Sequence, residues 1–113
     1  MKDKIIYISG KYSGKTDAET NQNIQKARLM AAKVWELGYP CLCPHTNTSN
    51  FEEICSCDYE DYIEGDLTLL SRCDAILLLD NYEDSTGAKI ELSQARELNK
   101  QVYYSFEELE KAK

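Results

Sequence analysis

Apolar residues along this chain alternate between short continuous runs and stretches of helical spacing. "DKIIYIS", rich in β-branched and aromatic residues, predicts a strand over residues 4–9. A helix is expected from Glu19 to Leu37, where Ile24, Ala27, Ala31, Val34 and Trp35 share one face and Gly38 supplies the stop. "YPCLCP" reads as a second strand. "HTNTSNFEEICS" reads as an irregular polar connection, longer than most links of its kind and so a candidate functional loop. A second helix over Tyr59 to Arg72 leads into a third strand, "DAILLLD". A third helix over Thr86 to Asn99 leads into a strand "QVYY", and "SFEELEKAK" closes the chain as a helix with a capping box from Ser105 to Glu108. The third strand is apolar throughout, as expected when helices cover both faces of a parallel sheet. The pattern implies a single α/β domain over residues 1–113. Its expected architecture is a compact, doubly wound, flavodoxin- or Rossmann-like parallel sheet of four to five strands, with helices on both faces. Ligands of such sheets bind at the carboxyl ends of the strands.

Two acidic residues break the pattern. In the third helix Ala88, Ala95 and Leu98 mark the apolar face, and Glu91 falls among them at steps of three and four. In the second helix Tyr59, Ile63 and Leu70 mark the buried stripe, and Asp66 falls among them in the same way. An ionised carboxylate turned inward costs several kcal/mol unless it is paired or hydrogen-bonded, on the order of the penalty for any buried ion. Both helices flank the third strand, so the two side chains are candidates to share one pocket. The bland reading is that each carboxylate hydrogen-bonds nearby loop backbone.

"YISGKYSGKT" leaves the first strand like a phosphate-gripping loop. A triphosphate-binding loop needs four residues between its glycines, whereas Gly10 and Gly14 enclose only Lys11, Tyr12 and Ser13. That spacing, and a length of 113 residues, oppose a nucleoside-triphosphatase. A second anion-binding candidate is the start of the third helix, where Ser85, Thr86 and Gly87 offer N–H groups and hydroxyls. A net charge of −7 argues against a nucleic acid polymer or an anionic membrane as partner, but not against a small anion held by local donors. No apolar run reaches the length of a membrane span, and the first residues lack a secretory signal, so a cytoplasmic location is expected. Cys41, Cys43, Cys55 and Cys57 form two C-x-C pairs, a poor match to zinc spacing. Reduced, partly buried thiols are expected, with no metal site and no cofactor.

"IYISGKYSG", "PHTNT", "DLTLLSRCDAILLL" and "STGAKIELSQA", in this order, resemble the nucleoside 2-deoxyribosyltransferase-like superfamily over residues 4 to 104. That superfamily contains nucleoside 2-deoxyribosyltransferases and 2′-deoxynucleoside 5′-monophosphate N-glycosidases. "PH-x-NT" looks most like an uncharacterised, partly phage-associated branch. The resemblance implies that Glu91 is the nucleophile on the sugar C1′. It implies that Asp66 assists leaving-group departure or positions the sugar, and that Tyr7 holds Glu91 in place. It places Ser9, Gly10, Lys11, Tyr12, Ser13, Gly14, Ser85 and Gly87 around substrate or its phosphate. Ser85, six residues before Glu91, resembles the hydrolase serine and tips the expected ligand towards a 5′-monophosphate. His45 and Asn47 are candidate base or sugar contacts, although a lone histidine after a strand is more often a satisfied structural group, as is Asn23.

The implied reaction runs as in a retaining glycosidase, with a glycosyl-enzyme resolved by water or by a second base. Hydrolase and transferase remain alternatives. So does a non-catalytic nucleotide-binding or sensing module of the same fold. The implied partner is a small nucleoside or nucleotide, and the family habit of completing sites across subunits implies a homo-oligomer. The sequence departs from the family in using Lys11 and Lys15 where the hydrolases often carry arginine. No residue matches the C-terminal partner group of the family, Ser105 being the nearest guess.

Overall fold

The computed structural model describes residues 2–113. The strands are β1 (Ile6–Ser9), β2 (Cys41–Leu42), β3 (Ala75–Leu78) and β4 (Gln101–Tyr103). The helices are α1 (Asp17–Leu37), α2 (Pro44–Asn47), α3 (Tyr59–Ser71), α4 (Thr86–Glu97) and α5 (Phe106–Ala112). The four strands lie in the order β2-β1-β3-β4 and every pairing is parallel. Ile6 stands opposite Cys41 on one side and Ala75 on the other, and Ala75 stands opposite Gln101. The strands are shorter than their apolar runs, and β2 is only two residues long. No helix among the described residues is long and apolar enough to cross a membrane.

The period-two alternation of β1 and β3 divides the core between the two faces of the sheet. Ile6, Ile8, Ala75, Leu77 and Leu79 pack with Ala27 and Val34 of α1 and Leu109 of α5. Tyr7, Ile76 and Leu78 pack on the other face with Leu70 of α3 and Leu92 and Ala95 of α4. Tyr7 and Ser9, two apart on β1, therefore face α4. The α3–α4 layer is tied by Gln94 Nε2, which donates to the Leu67 carbonyl at 2.8 Å. Lys100 Nζ donates to the Ser71 carbonyl at 2.9 Å and satisfies the end of α3.

Side chains set the helix ends. Thr16 caps α1 by accepting from Glu19 N–H at 3.1 Å, so this helix starts before the expected Glu19. It ends at Gly38, whose φ of 112° is open to glycine and strained for other residues. At α5, Ser105 accepts from Glu108 N–H at 3.2 Å, but the Glu108 carboxylate reaches back to Tyr104 N–H rather than to Ser105. The reciprocal box forms instead at α3, between Asp58 and Asp61. Three residues assigned to apolar faces are exposed: Trp35 at 58%, Leu98 at 46% and Tyr59 at 60%. Trp35 follows the buried Val34 and turns past the edge of the α1 stripe, while Leu98 lies beyond the last turn of α4, whose true stripe includes Leu92.

The turn after β1 has little room. A Cβ on Gly10 would lie 2.5 Å from Leu79 Cδ1 and 2.7 Å from Leu79 Cβ, so β1 leaves the sheet in contact with the end of β3. Gly10→Ala is expected to destabilise the chain by about 1–3 kcal/mol through overpacking, read as a lower denaturant midpoint at unchanged slope.

Candidate active site

The carboxyl ends of β1 and β3 open into a cavity of about 600 Å³, whose wall includes Glu91 and Asp66. Glu91 sits one turn into α4 on the face of Ala88, Leu92 and Ala95, and is 7% exposed. Its carboxylate meets β1 with both oxygens. Tyr7 Oη donates to Oε2, and Ser9 Oγ donates to Oε1 at 2.6 Å. Tyr7 and Ser9 are fully buried and act as a two-pronged clamp beneath the glutamate. Ser9, expected on the ligand, instead spends its hydroxyl on Glu91 and does not reach the cavity wall.

Asp66 projects from α3 on the stripe that runs through Ile63 to Leu70. Its carboxylate accepts no protein hydrogen bond among the described residues, and burial alone pushes it from 3.8 up to about 6. Burial likewise pushes Glu91 from 4.5 up to about 7, against the Ser9 and Tyr7 hydroxyls, which favour its ionised form. The charge of Asp66 adds a last, smaller upward push on Glu91. Burial and Glu91 together raise the Tyr7 phenol far above its ordinary value, so it stays a donor.

The loop from β1 is held from several sides. Lys11 N–H donates to Asn81 Oδ1 at 2.9 Å, Asn23 Nδ2 donates to the Tyr12 carbonyl at 3.0 Å, and Asn50 N–H donates to Tyr12 Oη at 3.1 Å. His45 Nε2 lies 3.0 Å from the Lys11 carbonyl. A carbonyl only accepts, so Nε2 carries the proton; burial lowers the ring's pKa and keeps it neutral, leaving Nδ1 as an acceptor. That Nδ1 is buried without a partner, and His45 lines the cavity at 5% exposure. The residue thus holds the loop as a structural histidine would, with a free acceptor besides.

Gly10, Lys11, Tyr12, Ser13, Ser85 and Gly87 join Glu91, Asp66 and His45 on the wall. Gly14 does not, because its N–H is turned to Thr20 Oγ1 at 2.9 Å. Asn47 lies in a shallower neighbouring depression that shares Tyr62 and Asp66 with the main cavity. Several loop donors expected for a phosphate are therefore engaged within the protein: Lys11 N–H, Gly14 N–H, and Lys15 N–H, which bonds Glu19 Oε2 at 2.6 Å. Ser85 Oγ accepts from Ala88 N–H at 3.0 Å as the cap of α4. Among the described residues on the wall, Lys11 is the one lysine or arginine, alongside Glu52, Asp66, Asp84 and Glu91.

Tyr59, Tyr62, Thr48 and Cys57 also line the cavity; the sequence offered Tyr59 only as a buried apolar position and Cys57 only as a thiol, and neither Tyr62 nor Thr48 as a site residue. Tyr59, Tyr62, Ile63 and Asp66 follow helical spacing, so the stripe through Asp66 carried the signal; it faces a cavity rather than solid core. No group of three or more His, Cys, Asp or Glu side chains able to hold a metal ion occurs among the described residues.

The parallel α/β sheet with helices on both faces has the fold of 2-deoxyribosyltransferases. The chain superimposes on a 2-deoxyribosyltransferase from Bacillus psychrosaccharolyticus with a TM-score of 0.61 at 24% identity, over 87% of this chain and 69% of that one. It superimposes on a 2-desoxiribosyltransferase from Leishmania mexicana with a TM-score of 0.61 at 20% identity, over 90% of this chain and 64% of that one. The chain thus spans about two thirds of the length of these two proteins. It belongs to the family described as domain of unknown function DUF4406, whose model matches residues 4–104. No curated protein matches it.

A carboxyl whose folded-state pKa lies above its unfolded value keeps its proton longer in the folded chain. Its contribution is therefore favourable below about pH 4.5 and is lost as the pH rises towards about 7. Glu91→Gln is expected to remove this loss. The variant should melt above the parent at pH 8, by up to roughly 3 kcal/mol of stability, with the gap closing below pH 5.

Proposed function

We propose that the chain cleaves or transfers the N-glycosidic bond of a nucleoside or nucleoside 5′-monophosphate, with Glu91 as nucleophile. The observation that carries this reading is a buried glutamate with no ion-pair partner among the described residues, clamped at both oxygens from below and open to a cavity from above. Each carboxylate oxygen accepts one hydroxyl and keeps a second lone pair, so the clamp orients the group without consuming its nucleophilicity. The shared fold of the 2-deoxyribosyltransferases supports the same assignment.

In the reaction, the Glu91 oxygen bonds to C1′ as the bond from C1′ to the base nitrogen breaks through an oxocarbenium-like state. Asp66 protonates the departing base, a role suited to a carboxyl kept partly protonated near neutrality by burial. The resulting glycosyl ester is opened by water in a hydrolase or by a second base in a transferase. Tyr7 and Ser9 act through Glu91 as positioning residues. A 5′-phosphate would rest on the Thr86 and Gly87 end of α4 beside Lys11, since much of the β1 loop is committed elsewhere.

Deoxynucleosides and their 5′-monophosphates, incubated with and without an acceptor base and followed by chromatography, test the reading. Base release or exchange is expected, with a loss of about 10³-fold or more in Glu91→Ala. Tight binding without release across the panel would replace it by the sensing module. The pH profile of kcat/KM should be bell-shaped, with limbs near 6 and near 7 that belong to the carboxyl pair. With Glu91 near 7 and Asp66 near 6, the reactive form (Glu91 ionised, Asp66 protonated) is the minor singly protonated form. Activity should therefore peak between the two values, and Asp66→Asn should lower the rate and abolish the alkaline limb.

A further inference from the structure

Cys55 and Cys57 stand just before Asp58, the cap of α3, and Cys57 lines the cavity. Their Sγ atoms lie 3.0 Å apart, about 1 Å beyond an S–S bond length. The Cys57 N–H also donates to Cys55 Sγ, at 3.4 Å. Cys55 is partly exposed and Cys57 exposed, whereas Cys43 and Cys73 are buried. The backbone on either side is anchored. Ile54 N–H donates to the Phe51 carbonyl at 2.9 Å, and Asp58 N–H to Asp61 Oδ2 at 2.8 Å, so the short segment carrying both sulfurs is tied at each end.

We propose that Cys55 and Cys57 are a redox-active dithiol, oxidised to an intrachain disulfide by small uncharged or cationic disulfides. Hydrogen bonds from Cys57 lower the Cys55 thiol below its ordinary value and raise Cys57, which divides the pair into an attacking thiolate and a proton-holding partner. The other cysteines behave oppositely, burial pushing Cys41 up to about 12 and Cys73 up to about 11. The Cys55 thiolate attacks one sulfur of the disulfide RSSR; its S–S bond breaks and RS⁻ leaves, taking up a proton as RSH. Cys57 then attacks Cys55 Sγ, its proton going to the second departing RS⁻. Two cysteine thiols are oxidised, and one RSSR is reduced to two RSH. The carboxylates of Asp58 and Asp61 act on Cys57, and Asp61 also acts on Cys55. An anionic disulfide is repelled and a cationic one attracted.

The test uses the full chain with cystamine, 2-hydroxyethyl disulfide or glutathione disulfide, followed by alkylation under denaturing conditions and peptide mass analysis. The expected result is loss of both alkylation sites at Cys55 and Cys57, while Cys41, Cys43 and Cys73 remain alkylated. Cystamine should react several-fold faster than glutathione disulfide, with the ratio falling as salt is raised. Cys57→Ser should trap a mixed disulfide on Cys55, and Cys55→Ser should remain unmodified. Retention of both alkylation sites in all three oxidants, or bridging only between chains, would overturn the proposal. The readout counts thiols, so its failure is separate from failure of the glycosidic reading.

Discussion

The hydrogen bonds from Tyr7 and Ser9 to Glu91 join the sheet to α4, and much of the site's layout follows from them. A carboxylate without partners in that position would be too costly to keep charged. The two hydroxyls lower the cost without neutralising the group, unlike a basic partner, which would lock it into an ion pair. The result is a glutamate poised near neutrality, deeply buried on one side and facing a cavity on the other. Its neighbours α3 and α4 are held in register by Gln94 and Lys100, which fixes where Asp66 enters the same space.

The β1 loop shows how the fold turns an anion-binding motif to another use. Asn81 takes one of its donors, Asn23 and His45 engage two of its carbonyls, and the close approach of Leu79 demands a glycine at position 10. The loop is thereby a rigid wall more than an open nest of N–H groups. Lys11 remains the cation on a wall that carries four carboxylates, so electrostatics favour ligands with little net negative charge unless the start of α4 receives it.

Periodicity revealed Glu91 and Asp66 because helical spacing is local, and a carboxylate on an apolar stripe is visible before any folding. It misplaced Trp35 and Leu98, because an apolar residue at the margin of a stripe reads like one at its centre. Tyr59 fitted the stripe as a core residue, yet it lines a cavity together with Tyr62; spacing specifies a face and not what lies opposite it. Ser9 was assigned to the ligand because it neighbours the glycine loop, whereas the strand's alternation turns it beneath Glu91 with Tyr7. The two C-x-C pairs looked alike in sequence and separate in space, Cys43 entering the core while Cys55 and Cys57 bring their sulfurs together before α3.

By itself, the sequence determined the order of the strands and of the longer helices, the parallel α/β class and the inward face of Glu91 and Asp66, but it read an irregular connection where the one-turn α2 (Pro44–Asn47) forms. These depend on side-chain spacing within single elements, where the chain carries its own geometry. Only the tertiary structure decided that β1 would meet α4 through two hydroxyls, that His45 would keep a free nitrogen, and which loop donors were already spent. Those outcomes depend on contacts between residues as much as 84 positions apart, and the hydrophobic pattern that brings such elements together does not encode their polar pairings.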